Sequence, residues 1–285
     1  MRRNLHTVLE YFAYFLYAPS SEEIYTFFPK KISKKNLTIL LEKELKGQKI
    51  LRLPNNMHYR AFQGLSDHYS LVTNHVRYTL PQYSTQIISD DKKKLDTTVQ
   101  IYISLLKMCP LVRFVGVTGK SAMRGLQNND DLDLCIVTKH TQLWTTRFFV
   151  VMCAKILGIH TKTGVCLNLF FDEQNVVIPH KKQNSYIAHE MLQMKKIVDK
   201  DHIYERFLFE NSWLLNYFPN VKSLNIKRNN QGKTWIMCTW IDYLFRAIQL
   251  PIIIRNRTAF LITTTQLWLF KNDFEKKLKR VGLVI

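Results

Sequence analysis

The sequence predicts an α+β protein in which a helical N-terminal domain with a hairpin precedes a small mixed sheet and a helical C-terminal region. Three observations predict this class. The first 62 residues carry three helical patterns and then two short strands, strand and helix patterns alternate from Leu111 onward, and helical patterns dominate after Pro179. Since 285 residues exceed the usual size of one domain, we predict four segments, which are 1–66, a connector over 67–91, 92–180 and 181–285.

The N-terminal elements have recognisable start and stop signals. Ser20 and Glu23 have the spacing of a capping box. Pro54-Asn55-Asn56 separates two short apolar segments and therefore predicts a turn between two strands. The predicted elements are helices at Leu5–Tyr17, at Ile24–Phe28 and between Ser33 and Gly47, and strands at Ile50–Leu53 and Met57–Arg60. Three helices followed by a hairpin predict a winged helix.

The third predicted helix has leucines on one face and lysines elsewhere. A winged helix commonly inserts this helix into the major groove of DNA, and Lys34, Lys35, Lys43 and Lys46 suit phosphate contacts. Two alternatives stay open. Winged helices also serve as protein interaction modules, and a run of charges on a helix is often only its solvated face.

The central and C-terminal patterns continue the prediction of alternating elements. We predict helices at Lys92–Met108, Ser121–Leu126, Leu143–Leu157, Tyr186–Ile197 and Tyr204–Leu215, and strands at Val112–Val117, Leu132–Thr138 and Val165–Phe171. The apolar stretch Trp235–Ile254 predicts a buried helix plus strand, because Asp242, Arg246 and Pro251 would be costly in a bilayer. A further strand and helix are predicted at the C-terminus.

Composition limits the partners. Lys and Arg number 41 against 22 Asp and Glu, for a formal net charge of +19, and this favours a polyanionic partner such as nucleic acid over the alternative of a merely solubilising surface. The five cysteines are odd in number and widely spaced, which predicts reduced thiols. No signal peptide or membrane span is evident, so we expect a cytoplasmic protein without a membrane partner.

Two aspartates carry the clearest chemical signal. Asp131 and Asp133 flank Leu132 at the start of a predicted strand, and strand side chains alternate, so both carboxylates should face one side. Like charges this close repel unless a cation lies between them, and carboxylate oxygens favour Mg²⁺ or Mn²⁺. Gly119 permits close backbone approach, and amides near Ser121 can hold phosphate oxygens.

These residues resemble the DNA polymerase beta-like nucleotidyltransferase superfamily, in which a Gly-Ser turn precedes Asp-apolar-Asp by nine to thirteen residues. More narrowly, the whole chain resembles a group of bacterial nucleotidyltransferase-domain proteins with an N-terminal winged helix. The matching segments are Val117–Met123, Asn129–Leu134, Trp144–Arg147, Cys166–Asn168 with Asp172-Glu173, Ala188–Glu190 and Asn211–Trp213. The resemblance implies a metal site at Asp131 and Asp133.

The chain departs from the superfamily pattern at two positions. Lys120 stands where the superfamily has the serine that touches a nucleotide phosphate, so Ser121 and Lys120 are the candidate replacements. Asn168 stands where polymerases place a third carboxylate, the usual general base, and Asp172 is the weaker candidate to replace it.

Two side-chain roles also stay open. Arg147 is a candidate for triphosphate contact or for a salt bridge within the fold. His189 and Glu190 either line the cleft or form a structural pair, and the structural alternative is favoured.

The expected function is transfer of a nucleoside monophosphate from a nucleoside triphosphate to a hydroxyl, with Mg²⁺ or Mn²⁺ held by Asp131 and Asp133. Gly119, Lys120 and Ser121, with Arg147 as a further candidate, are expected to bind the triphosphate. The acceptor can be nucleic acid, a protein side chain or a small molecule. The first alternative is a weakly active or inactive protein that binds nucleic acid or senses nucleotide. The second is an antitoxin-like protein that modifies another protein.

Overall fold

The structure is a computed structural model, and it shows a mixed α+β protein. It describes residues 1–15, 17–47, 49–53, 57–60, 97–124, 131–160, 164–221, 239–256, 259–270, 274–280 and 282–283. The chain divides into two compact units. The first comprises Met1–Lys93, Trp213–Ser223 and Val281–Ile285, and the second comprises Lys94–Ser212 and Leu224–Arg280. The connector predicted over 67–91 lies outside the described residues, and the other predicted boundaries stay predictions.

The first unit contains the predicted three helices and two strands. Ser20 accepts a hydrogen bond from the amide of Glu23, whose side chain bonds back to Ser20, so the capping box is confirmed. Ser33 caps the third helix through the amide of Asn36. The elements are α1 (Arg2–Tyr14), α2 (Ser21–Thr26), α3 (Lys34–Lys46) and the antiparallel strands β1 (Ile50–Leu53) and β2 (Met57–Arg60).

A buried acid joins the first and third helices. Glu44 on α3 is only 2% exposed, and its carboxylate accepts hydrogen bonds from Arg2 and His6 on α1. Buried charges require such partners, because burying an unpaired carboxylate costs on the order of several kcal/mol of folding free energy. Apolar side chains of α1, such as Leu5 and Phe12, complete this small core.

A distant part of the sequence completes the first unit. Phe218, just after the short helix Leu214–Tyr217, packs its ring edge-on against Phe27 at a centroid distance of 5.2 Å. The buried side chain of Asn220 accepts from the amide of Ile32 at 3.0 Å and donates to the carbonyls of Phe28 and Lys30. The backbone before α3 is therefore bonded by a residue almost two hundred positions further along the chain.

The second unit is built on a six-stranded mixed sheet. The strand order is β6-β3-β4-β5-β8-β7, in which only β4 and β5 are parallel among the pairs that the structure describes. The elements are α4 (Thr97–Met108), β3 (Val112–Val117), α5 (Gly119–Arg124), β4 (Leu132–Thr138), α6 (Leu143–Ile156), β5 (Val165–Asp172), a 3₁₀ turn (His180–Lys182), α7 (Ser185–Leu192), β6 (Lys195–Asp199), α8 (Ile203–Glu210), α9 (Thr239–Asn256), β7 (Ala259–Ile262), β8 (Gln266–Phe270) and α10 (Phe274–Arg280). The three strands predicted for the centre are confirmed.

The prediction of a helical C-terminal region is wrong in part, because three strands, β6, β7 and β8, lie after residue 181, where fewer strands were predicted. The predicted helix Tyr186–Ile197 ends at Leu192, and the chain then forms edge strand β6 against β3. The predicted helix Tyr204–Leu215 likewise divides into α8 and the short helix Leu214–Tyr217. Pairing along the sheet satisfies backbone groups between residues far apart in sequence, which a local pattern does not reveal.

The last long helix also differs from its prediction. The described part of the stretch predicted as a buried helix plus strand is one helix, α9, with Pro251 inside it. Asp242 on this helix accepts from the amide and hydroxyl of Thr145, whereas Trp240 is 65% exposed. Helix α9 packs against α6, where Phe148 and Phe245 stack at 4.4 Å. Within the described ranges, none of the helices has the length and apolarity needed to cross a membrane.

The core of the second unit lies around the central strands. Val115, Leu134 and Ile136 on β3 and β4 are fully buried, and Trp144 on α6 is 1% exposed. Helix α6 packs against β5, and α4 packs against β3 and β6. The described cysteines, Cys109, Cys135, Cys153 and Cys166, are free thiols as predicted, and Cys238 lies outside the described residues.

Candidate functional site

The two aspartates of the candidate site lie at the start of β4. Asp131 directly precedes this strand and Asp133 is its second residue. Leu132 and Leu134 are 4% and 0% exposed, whereas both aspartates are half-buried. The alternation therefore turns both carboxylates to one side of the strand while the leucines enter the core.

The neighbouring strand β5 brings two more polar side chains to the pair. Cys166 is the parallel partner of Asp133, and one ligand atom from each of Asp131, Asp133 and Cys166 can be chosen so that all three lie within 4.8 Å of one another. Asn168 donates from Nδ2 to Asp133 Oδ1 at 3.0 Å, and the Cys166 thiol donates to Asn168 Oδ1 at 3.3 Å. The side chain at the third-strand position is thus a hydrogen-bond donor to Asp133.

An irregularity in β5 occurs at this asparagine. Leu134 pairs with Leu167 and Cys135 pairs with Leu169, so Asn168 is the extra residue of a bulge. Bulges re-aim a side chain and occur often beside active sites. This bulge accompanies the Asn168 contact with Asp133.

The glycine turn between β3 and α5 lies against the aspartates. Gly119 has a φ of +67°, and a Cβ added there would lie 2.6 Å from Asp133 Oδ2. The amide of Thr118 donates to the carbonyl of Asp133, and the hydroxyl of Ser121 donates to the carbonyl of Asp131, both at 2.9 Å. The close backbone approach predicted for Gly119 is present, and Ser121 holds the backbone of Asp131.

A buried glutamate on α7 reaches this turn. Glu190 is 5% exposed, and its Oε2 accepts from the amide of Gly119 at 2.8 Å. Its other oxygen, Oε1, accepts from the Gln193 side chain at 2.9 Å. Glu190 is an acid between Ala188 and Met191 on the buried face of a helix, and this pattern is a signal that can be found in the sequence.

The electrostatics of the site reflect crowded acids. Burial, together with the adjacent charge of Asp131, raises the pKa of Asp133 to about 7. Burial also raises the pKa of Glu190 to about 7, against the opposing effect of the Gly119 amide. Burial, with the charges of Glu190 and Asp133, holds the pKa of the Tyr186 hydroxyl well above its ordinary value. A cation bound between the carboxylates would offset this repulsion.

The two predicted basic residues differ in position. Lys120 is exposed at the start of α5, and its positive charge lowers the pKa of Asp133. Arg147 on α6 donates to Gln249 at 2.6 Å and lies over the Phe170 ring at 6.0 Å. Phe170 is four residues beyond Cys166, roughly 13 Å along β5. These contacts favour a role for Arg147 within the fold, through an amide rather than the predicted salt bridge.

The candidate replacement acid, Asp172, lies at the opposite end of β5. It is six residues from Cys166, roughly 20 Å along the strand. Its carboxylate accepts from the amides of Thr141 and Gln174, both at 2.8 Å, and contacts the His140 ring. Asp172 therefore stabilises the turn after β4 and does not replace the acid missing at Asn168.

Two other matching segments have structural roles. Asn211 is fully buried, accepts from the amide of Ile178 at 2.7 Å and donates to the carbonyl of Val176. His189 is buried on α7, and burial lowers its pKa to about 3, so the imidazole is neutral at physiological pH.

The site therefore brings together Asp131, Asp133, Gly119 and Ser121 as the sequence predicted, and adds Cys166 and Glu190 to them. Comparison with protein-family models, curated proteins and solved structures yields no match to this chain. Membership of the nucleotidyltransferase superfamily thus stays a prediction that rests on the residues themselves.

Proposed function

We propose that the protein is a nucleotidyltransferase that moves a nucleoside monophosphate from a nucleoside triphosphate to an acceptor hydroxyl. The observation that carries the proposal is the cluster of Asp131, Asp133 and Cys166, whose ligand atoms lie within 4.8 Å, directly against the Gly119 turn. Carboxylate oxygens on one side of a strand suit Mg²⁺ or Mn²⁺, and Cys166 adds a thiol, which Mn²⁺ tolerates better than Mg²⁺ does.

The proposed residues have separate tasks. Asp131 and Asp133 hold the divalent cation, which would neutralise charge on the triphosphate and on the leaving pyrophosphate. Asn168 orients Asp133 through its 3.0 Å hydrogen bond. Gly119 lets the turn lie directly against Asp133, and Lys120 and Ser121 are the proposed phosphate contacts, with Arg147 a weaker candidate because Gln249 already binds it.

The proposed reaction is a single displacement at the α-phosphorus. The oxygen of the acceptor hydroxyl bonds to this phosphorus, the bond to the bridging oxygen of the β-phosphate breaks, and pyrophosphate leaves. The hydroxyl proton passes to solvent, since Asn168 cannot accept it as the carboxylate of related polymerases would. Slow turnover follows from this arrangement, because no base is positioned on the third strand.

The test uses the full chain with each α-labelled nucleoside triphosphate, Mg²⁺ or Mn²⁺, and cellular RNA, DNA and protein as acceptors. We expect one acceptor class to become labelled and the label to vanish in Asp131→Asn and Asp133→Asn. Asp201→Asn is the matched control, since Asp201 is exposed and pairs with Arg113. Labelling that survives both substitutions, or triphosphate binding that needs no cation, would refute the proposal.

A second candidate function is favoured by the first unit. We propose that its three helices and hairpin form a winged helix that contacts nucleic acid. Lys34, Lys35, Lys43 and Lys46 on α3 are exposed, while Leu37 and Leu41 are buried. In this alternative the site at Asp131 and Asp133, which departs from the superfamily pattern at Lys120 and Asn168, senses nucleotide and does not catalyse its transfer. Salt-dependent binding of DNA or RNA that survives Asp133→Asn, without pyrophosphate release, would favour it over catalysis.

A further inference from the structure

We propose that Glu190 is a positioning residue, whose carboxylate holds the Gly119 turn against Asp133 and thereby shapes the cation site. The inference rests on the proposed function, because it concerns the cation that Asp131 and Asp133 would bind. It assigns a role to a side chain on α7, an element that lies outside the Gly119 turn and the Asp131–Asp133 pair.

The position of Glu190 is unusual for an acid. Glu190 is 5% exposed and lies on the buried face of α7, between Ala188 and Met191. Asn184 fixes the start of this helix by accepting from the amide of Ile187 at 3.0 Å. Burial of a carboxylate is costly unless both oxygens are bonded, and here both are, to Gly119 and Gln193.

The contact with Gly119 is the step that links α7 to the aspartates. The Gly119 amide is held at 2.8 Å, and the same residue has a φ of +67°. On its other side, the space where a Cβ would lie is 2.6 Å from Asp133 Oδ2. A shift of the turn would therefore change the surface against which that carboxylate lies.

A second hydrogen bond ties the Gly119 turn to strand β4. The amide of Thr118 donates to the carbonyl of Asp133, so the residue before Gly119 is also tied to β4. Glu190 thus completes a frame in which one side of the turn is bonded to α7 and the other to β4. Since both of its oxygens are bonded within the protein, Glu190 acts through Gly119 and not on the reacting atoms.

Two substitutions separate reach from charge. Glu190→Gln keeps the length of the side chain and an oxygen for the Gly119 amide, and Gln193 can turn its own amide to match. Glu190→Asp keeps the charge but is one methylene too short to reach Gly119. If position is what matters, glutamine will preserve the cation site and aspartate will not.

The measurement is the affinity of the full chain for Mn²⁺ without nucleotide. Calorimetry and the electron paramagnetic resonance signal of free Mn²⁺ each report this affinity. We expect Glu190→Gln to bind within threefold of the wild type and Glu190→Asp to bind at least tenfold more weakly. Hydrogen exchange of the peptide that contains Gly119 should quicken in Glu190→Asp only.

Glu173→Asp is the matched control. Glu173 is also buried, and it also accepts from a turn amide, that of His140 at 3.0 Å, but it lies after the far end of β5. This control should lose stability and keep its Mn²⁺ affinity.

The outcomes distinguish the two proposals. If the wild type binds no Mn²⁺, or if Asp131→Asn binds it equally well, the proposed function fails and the role of Glu190 fails with it. If the wild type binds Mn²⁺ and Glu190→Asp binds it as well as the wild type does, only the role of Glu190 is refuted. Weaker binding by Glu190→Gln than by Glu190→Asp would also refute it, since charge rather than position would then be the cause.

Discussion

Gly119 lies directly against Asp133, since a Cβ added to the glycine would begin 2.6 Å from the Oδ2 atom of the aspartate. The contact joins the turn after β3 to the start of β4, and no larger residue fits it without moving the carboxylate. It is therefore the position at which the smallest substitution tests the geometry of the site.

Gly119→Ala is expected to abolish Mn²⁺ binding at Asp131 and Asp133 and to lower the free energy of unfolding by about 1 kcal/mol, because φ is positive. Gly158→Ala is a matched control. Its φ is +69°, but nothing lies within 4 Å of the added Cβ. Calorimetric titration with Mn²⁺ and urea unfolding should show the strain of a positive φ in both variants and loss of Mn²⁺ binding only in the first. Equal Mn²⁺ affinities would contradict this reading of the turn.

Asn168→Asp is expected to strengthen Mn²⁺ binding about tenfold, or by about 1.4 kcal/mol, because it adds a carboxylate beside Asp133. Without metal, the variant should be less stable than the wild type, since a donor at 3.0 Å from Asp133 becomes a third like charge. Asn168→Ala removes the same donor and adds no ligand, so its Mn²⁺ affinity should not rise. The prediction fails if the two variants bind Mn²⁺ alike.

His189 is expected to make the fold sensitive to acid. Burial lowers its pKa to about 3, below the ordinary value of about 6.5 in an unfolded chain. Between these values the unfolded state binds the extra proton, so stability falls as the pH drops below about 6.5 and continues to fall toward 3.

The measurement compares the wild type with His189→Gln, which cannot take up this proton. From pH 6.5 to pH 4.5 the wild type should lose roughly 2 kcal/mol more free energy of unfolding than the variant does. Urea titrations at several pH values give this difference directly. Parallel pH profiles would show that His189 is protonated as easily in the folded state as in the unfolded chain.

The lysines of α3 are expected to set the salt dependence of nucleic-acid binding. If Lys35 and Lys43 each contact a phosphate, replacing both by glutamine should reduce the slope of log affinity against log salt by about 2. Lys107→Gln is the control, because Lys107 is also exposed but belongs to the second unit. An unchanged slope in the double variant would mean that this helix face is only solvated.

Local patterns were sufficient for the centre of the site. The alternation of Asp131, Leu132, Asp133 and Leu134 predicts that the leucines enter the core, and in the structure both leucines are buried. The capping box of α2 and the glycine at the end of α6 were equally predictable, since both depend on residues a few positions apart.

Contacts between distant residues were not predictable in this way. The local pattern of β6 continues that of the preceding helix. The segment forms a strand because it pairs with β3, which lies some eighty residues earlier in the chain. Glu190 meets Gly119 across a separation of 71 residues, and a helix pattern alone does not say which element its buried acid will reach. The same holds for Gln249 and Arg147, whose bond depends on the packing of α9 on α6.

The bonds of Asn220 have a consequence for the order of events during synthesis. The first unit needs Phe218 and Asn220, so its amino-terminal helices leave the ribosome long before the residues that complete them. The carbonyls of Phe28 and Lys30 cannot accept their hydrogen bonds from Asn220 until most of the second unit has been translated. The first unit is thus begun first but can be completed only after Lys94–Ser212 of the second unit has been made.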